Sequence, residues 1–162
     1  MIVCEGTMII YTLEVFLIGG PVTEEFAQKN PVVSRTIAIR SDQSLADLHD
    51  AIFRAFDREE EHLFEFQIGG KGPNDPKARK YGLVIPDDDV FGGYEESDVT
   101  ETTINSLKLK KEQSFGYWFD FGDDWWHQVD VISIEQKNSK SKYPRISKRV
   151  GQSPPQYADF EE

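Results

Sequence analysis

The segment Ser44–Asp57, SLADLHDAIFRAFD, constrains the fold most. Its apolar residues Leu45, Leu48, Ile52, Ala55 and Phe56 recur at helical spacing, while the segments on either side alternate with period two. Ser44 and Asp47 form a Ser-x-x-Asp variant of the capping box, which marks the helix start. Upstream, Leu13, Val15 and Leu17 share one parity in a run that ends at Gly19, Gly20 and Pro21. Val33, Ile37 and Ile39 do the same in VVSRTIAIR, so two strands precede the helix, joined as a hairpin. Downstream, His62, Phe64, Phe66 and Ile68 alternate in HLFEFQIGG, a third strand that Gly69 and Gly70 terminate. Strand, strand, helix, strand implies an α+β domain: a β-grasp-like sheet of antiparallel or mixed strands with one principal helix packed on it.

From 69 to 102 the character changes. KGPNDPKARK is basic and turn-rich, YGLVI is a short apolar island, and PDDDVFGGYEESDVTE carries only negative charge, so the stretch reads as a long loop or an insertion within the domain. Asp87, Asp89, Gly92 and Asp98 occupy the first, third, sixth and twelfth places of a calcium loop, but Phe91 takes the fifth. A solvated acidic loop is the plainer reading. TINSLKL predicts a helical turn. SFGYWFDFG and WHQVDVISIE then predict two strands joined through Gly122, Asp123 and Asp124, a C-terminal aromatic hairpin. Beyond Glu135 the chain is polar and basic, and Pro144, Pro154 and Pro155 argue against a long regular element. The expected organisation is a single domain over 8–155 with flexible ends at 1–7 and 156–162.

Charge limits the partners. Asp and Glu number 29 against 18 Lys and Arg, a net charge of -11 that repels nucleic acid and anionic lipid from the surface as a whole. Lys140, Lys142, Arg145, Lys148 and Arg149 form the one candidate nucleic-acid contact, and the net charge disfavours it. Cys4 is the sole cysteine, so no internal disulfide forms and a cytoplasmic setting is expected. The apolar run MIIYTLEVFLIGG is broken by Tyr11, Thr12 and Glu14 and falls short of a membrane span, so no membrane partner is expected.

The tract FDFGDDWWHQVDV, Phe119–Val131, carries the candidate chemistry. Strand parity puts Phe115, Tyr117, Phe119 and Phe121 on one face, with Trp118 and Asp120 on the other. Gly122 is able to take a positive φ in the turn, with the aspartates bonding local amides. His127 shares parity with Val129 and Val131, and His62 with Phe64 and Phe66. His49 falls about 40° from Leu45 around the helix at about 100° per residue. All three imidazoles therefore point toward apolar faces, where each ring nitrogen needs a partner. In one reading they are core histidines paired with aspartates around a tight turn, and no cofactor is predicted. In the other, His49, His62, Asp120, Asp123, Asp124 and His127 supply ligands to a divalent metal ion. Asp120, Asp124 and His127 would then be the catalytic candidates of a metal-dependent hydrolase or nuclease-like enzyme. The sequence has no His-Glu-x-x-His spacing to support the second reading. Asp120-Phe121-Gly122 spells the kinase triplet without a matching glycine loop or catalytic loop.

SLADLHDAIFRAF, HLFEFQI and YWFDFGDDWWHQVDV, followed by KYPRI and the pair Pro154-Pro155, resemble the plasmid pRiA4b ORF-3-like family over about Tyr11 to Pro155. Asp120 to Trp125 with His127 is the specific part; Leu48-His49 and His62-Leu63-x-Glu65-Phe66 add to it. The resemblance implies an α+β domain found on plasmids, chromosomes and transposable elements, often labelled a transposon passenger or a resolvase, with no established activity. A serine recombinase needs a nucleophilic serine among arginines and a DNA-binding module, which this acidic chain does not plainly present. The expectation is a non-enzymatic interaction or accessory module whose aromatic hairpin and long loop bind a protein partner. The alternatives are the metal-dependent enzyme and a DNA-associated accessory protein.

Overall fold

A computed structural model of the chain describes residues 7–82 and 99–156. The calcium-like positions Asp87 to Asp98 and most of the expected flexible ends lie outside the described residues. The elements in chain order are β1 (Thr7–Gly19), α1 (Glu24–Lys29), β2 (Ser34–Arg40), α2 (Leu45–Ala55), β3 (Phe64–Ile68), β4 (Arg79–Gly82), a 3-10 turn at Asn105–Leu107, β5 (Ser114–Phe119), β6 (Trp125–Asn138) and β7 (Arg145–Val150). The seven strands form one sheet in the order β4-β3-β5-β6-β1-β2-β7. Every neighbouring pair is antiparallel. The strand after the helix, β3, is separated from β1 by two strands, β5 and β6.

Burial alternates with period two in β2 and in the first half of β6, while β3 is buried on both faces. On the inner face Leu13, Val15, Ile37, Ile39, Phe66, Phe115, Tyr117, Phe119, Val129 and Val131 meet Leu45, Leu48, Ala51, Ile52 and Ala55 of α2 in one core. Each large apolar side chain buried there contributes roughly 1.5–3 kcal/mol. The capping box forms as its sequence suggests: Asp47 N donates to Ser44 Oγ at 3.1 Å, and Ser44 N donates to Asp47 Oδ2 at 2.9 Å. Two amides of the first turn, which no helical carbonyl can reach, are taken up by the chain at 99–103: Leu45 N donates to Thr102 O and Ala46 N to Val99 O. A bulge in β6 leaves Ile132 between the pairs Leu13↔Val131 and Thr12↔Ser133.

Three elements differ from the sequence expectation. The link from β1 to β2 holds the short helix α1, whose start is capped by Thr23 Oγ1 accepting from Phe26 N. The stretch 69–102 contains β4, paired with β3 from Glu65↔Gly82 to Ile68↔Arg79. The chain beyond Glu135 is regular: β6 runs to Asn138 and β7 pairs with β2, while Pro144 and Pro154 stand outside the strands. Gln156, expected in a flexible end, is 5% exposed, and its Oε1 accepts from the amides of Glu59 and Glu60. Both sheet edges, RKYG in β4 and RISKRV in β7, are short and rich in Lys and Arg.

Candidate functional site

Asp120 closes the β5–β6 connection from within. Its backbone is left-handed, φ 62°, and its amide donates to Leu63 O at 2.8 Å. Its Oδ1 accepts from Gly122 N at 3.0 Å and Asp123 N at 3.2 Å, and the residue is 6% exposed. Asp124 is the second left-handed residue, φ 59°, whereas Gly122, the expected site of a positive φ, is not left-handed. Asp tolerates this region because its short side chain bonds nearby backbone. The strand parity therefore ends at Phe119. Asp120 turns inward, and Phe121 leaves the inner face to stack on Trp118 at 4.1 Å.

Two of the three histidines, His49 and His127, are placed around Tyr117 rather than around the aspartates. His127 is fully buried on the inner face of β6. Its Nδ1 lies 3.1 Å from Tyr117 O, which only accepts, so Nδ1 carries the proton. Nε2 is then free to accept from Arg58 Nη2 at 3.0 Å. Burial first, and the Arg58 charge second, hold the His127 pKa well below its usual value, so the ring is neutral. Arg58 itself is 6% exposed and sits over the rings of Phe56, Phe119 and Trp125 at 5.4, 5.0 and 4.9 Å. Burial lowers its pKa to about 10, which leaves it charged at neutral pH. Its Nε has no hydrogen-bond partner. Three aromatic faces, with the Asp120 carboxylate acting through space, favour the charge here.

His49 approaches Tyr117 from the other side. Its ring stacks on Phe64 at 3.7 Å and 7°, with Nδ1 2.6 Å from Tyr117 Oη and Nε2 2.8 Å from Glu61 Oε1. A carboxylate accepts only, so Nε2–H donates to Glu61 and Tyr117 donates to Nδ1. Burial lowers the His49 pKa, and Glu61 opposes that shift. His62 is not a core residue: its side chain is 32% exposed and its Nε2 lies 3.5 Å from Asp120 Oδ2. It alone of the three faces the acidic turn. His49 and His62 line one groove of about 580 Å³ with Ala46, Asp50, Glu61, Leu63, Phe64, Val99 and Thr100.

Of the six metal candidates read from the sequence, His62 and Asp120 come together, while Asp124 is used elsewhere, its Oδ1 accepting from Trp118 Nε1 at 2.9 Å. His127 is sealed behind Tyr117. Asp123 is half-buried in the turn. The partners that sequence reasoning missed, Arg58 and Glu61, come from the run DREEEH, whose charges show no periodicity that would single out one member. Of the basic run, Arg149 turns back to the helix end, where its Nη1 donates to Ala55 O at 2.7 Å. Arg145 donates to Ser141 Oγ, and Lys148 pairs with Thr36 on the next strand.

The outer face of the sheet carries a second cluster. Trp118 and Trp126 are cross-strand partners whose rings stack at 4.9 Å and 4°, and Phe121 caps the stack. All three are half-buried. Next to them across β6 and β1 stand Gln128, Asp130, Glu14 and Phe16, with Glu14 directly opposite Asp130. On the other flank the loop after β3 folds over the sheet: Asn74 N donates to Gln67 Oε1, and Glu65 and Gln67 are buried.

A solved structure, the protein of unknown function MM3350 from Methanosarcina mazei Go1, is similar with a TM-score of 0.69 and 23% identity, over 92% of this chain and 73% of that one. The uncharacterized protein y4hQ of Sinorhizobium fredii is 25% identical over 101 residues, 62% of this chain, and the chain spans just under half (46%) of that relative's length. The sequence profile of the plasmid pRiA4b ORF-3-like proteins matches residues 23–159, and the chain belongs to that family.

Proposed function

We propose that the protein is a non-enzymatic interaction module whose outer sheet face docks a protein partner through a segment rich in Lys and Arg. The observation that carries this reading is the stack Phe121–Trp118–Trp126, half-exposed on the solvent side of an otherwise well-packed sheet. Aromatic rings of this kind anchor protein interfaces because they contribute large area at low entropic cost. Glu14, Asp124 and Asp130 stand beside the stack, and among the described residues none lies within ion-pair distance of a Lys or Arg. Carboxylates next to indole faces complement guanidinium and ammonium groups by charge and by cation–π attraction. The turn supports binding rather than reaction, because Asp120 Oδ1 accepts from two turn amides, Asp124 Oδ1 accepts from Trp118 Nε1, and both ring nitrogens of His127 are bonded inside the core. In fold terms the same reading treats β1, β2, α2 and β3 as β-grasp-like elements between which β5 and β6 insert as a central aromatic hairpin. A cytoplasmic setting fits the single cysteine.

Selection of a displayed random dodecapeptide library against the purified chain tests the proposal. Selected peptides enriched in Arg and Lys, with affinity reduced at least about tenfold by Trp126→Ala and weakened by salt, are expected. Enrichment of acidic or uncharged peptides, equal binding by Trp126→Ala, or retention of single-stranded DNA in place of peptide would overturn it.

A further inference from the structure

We infer that His49, Asp50 and Glu61 form a binding site for one divalent transition-metal ion at the wall of the groove. The three donor atoms lie within 4.8 Å of one another. Asp50 and Glu61 are exposed, while His49 is 4% exposed and held from behind. Phe64 fixes the plane of the imidazole and Tyr117 Oη fixes its Nδ1, so Nε2 is directed outward at the carboxylates. Metal-binding histidines are oriented in this way, by an outer partner on the second ring nitrogen.

Charge favours occupancy. Among the described residues neither Asp50 nor Glu61 makes an ion pair with Lys or Arg, so two carboxylates and a neutral ring would neutralise a divalent ion. The imidazole nitrogen selects against Mg²⁺ and Ca²⁺ and in favour of Zn²⁺, Co²⁺, Ni²⁺ or Mn²⁺. Glu61 sits 2.8 Å from Nε2, closer than the separation of about 3.3 Å between two ligands of a tetrahedral zinc ion. Its side chain is 59% exposed, so it can retreat by the half ångström required. Binding also moves the ring proton from Nε2 to Nδ1, where Tyr117 Oη accepts it. Three protein ligands leave at least one coordination position, and that position faces a groove of about 580 Å³ whose rim carries His62. The ligand set differs from the aspartate turn indicated by the sequence and shares with it only His49.

The test uses the full chain, stripped with chelator and titrated with Zn²⁺ by calorimetry and with Co²⁺ by visible absorption. One equivalent of metal is expected. The double variant Asp50→Asn, Glu61→Gln, altered at exposed positions and checked for an unchanged thermal midpoint, should bind at least about tenfold more weakly. His62→Ala should bind as the parent does. Uptake below about one-tenth equivalent would overturn the inference. So would undiminished binding by the double variant, or loss of binding in His62→Ala. Neither substitution touches the outer face, so failure here leaves the peptide-docking reading standing.

Discussion

The neutral, buried His127 makes stability depend on pH in a way that one substitution isolates. Its folded pKa lies well below the usual 6.5, so as pH falls the unfolded chain takes up the proton first. Stability from this residue is therefore fully present above about pH 6.5 and drains away below it, until the folded pKa is reached. A ring that stays neutral in the fold down to pH 5.5 loses about 1.4 kcal/mol between pH 7.5 and 5.5, because one proton per pH unit is worth about 1.36 kcal/mol. His127→Asn retains a donor toward Tyr117 O, removes the acceptor of Arg58 Nη2, and does not titrate. At pH 7.5 it should cost about 1–3 kcal/mol for the orphaned Arg58 donor. On going to pH 5.5 it should then lose about 1.4 kcal/mol less than the parent. Urea unfolding at several pH values, followed by tryptophan fluorescence, gives both numbers, and titrations common to both chains cancel in the difference. Parallel pH profiles for the two chains would refute the assignment of a neutral, proton-excluding His127.

Two further substitutions test the packing argument. A methyl group at Gly116 would collide with the Gln67 side chain and come 2.6 Å from Pro73 Cα, so Gly116→Ala should cost about 1–3 kcal/mol in urea unfolding; an unchanged midpoint would mean that the loop after β3 does not lie on the sheet. Ser44→Ala removes the acceptor of Asp47 N and should lower stability by about 1 kcal/mol, and amide exchange of the first α2 turn should accelerate with it.

Elements whose local signals agree were legible in the sequence. α2 combines a capping box with an apolar stripe, and β3, β5 and β6 alternate cleanly because one face of each meets the core. α1 escaped notice because six residues between Pro21 and Pro31 carry a single large apolar residue, Phe26, and only a Thr23 cap. β4 and β7 escaped because edge strands bury little, so their polar residues leave no alternation to read. At the candidate site, helical spacing gave the inward direction of His49 and strand parity that of His127, but not their partners, which arrive from a charge run and from both the hydroxyl and the carbonyl of Tyr117. Parity failed for His62 and Phe121 because the backbone leaves the strand conformation next to them, at Leu63 and at the left-handed Asp120.

The two cationic borders of the sheet bear on how this molecule can associate. Appending a strand from a second copy to β4 or β7 would set Arg79 and Lys80, or Arg145, Lys148 and Arg149, beside like charges, in a chain whose overall charge is negative. Edge-to-edge pairing of copies is thereby discouraged at both ends of the described sheet, which favours its broad surfaces for contact between copies.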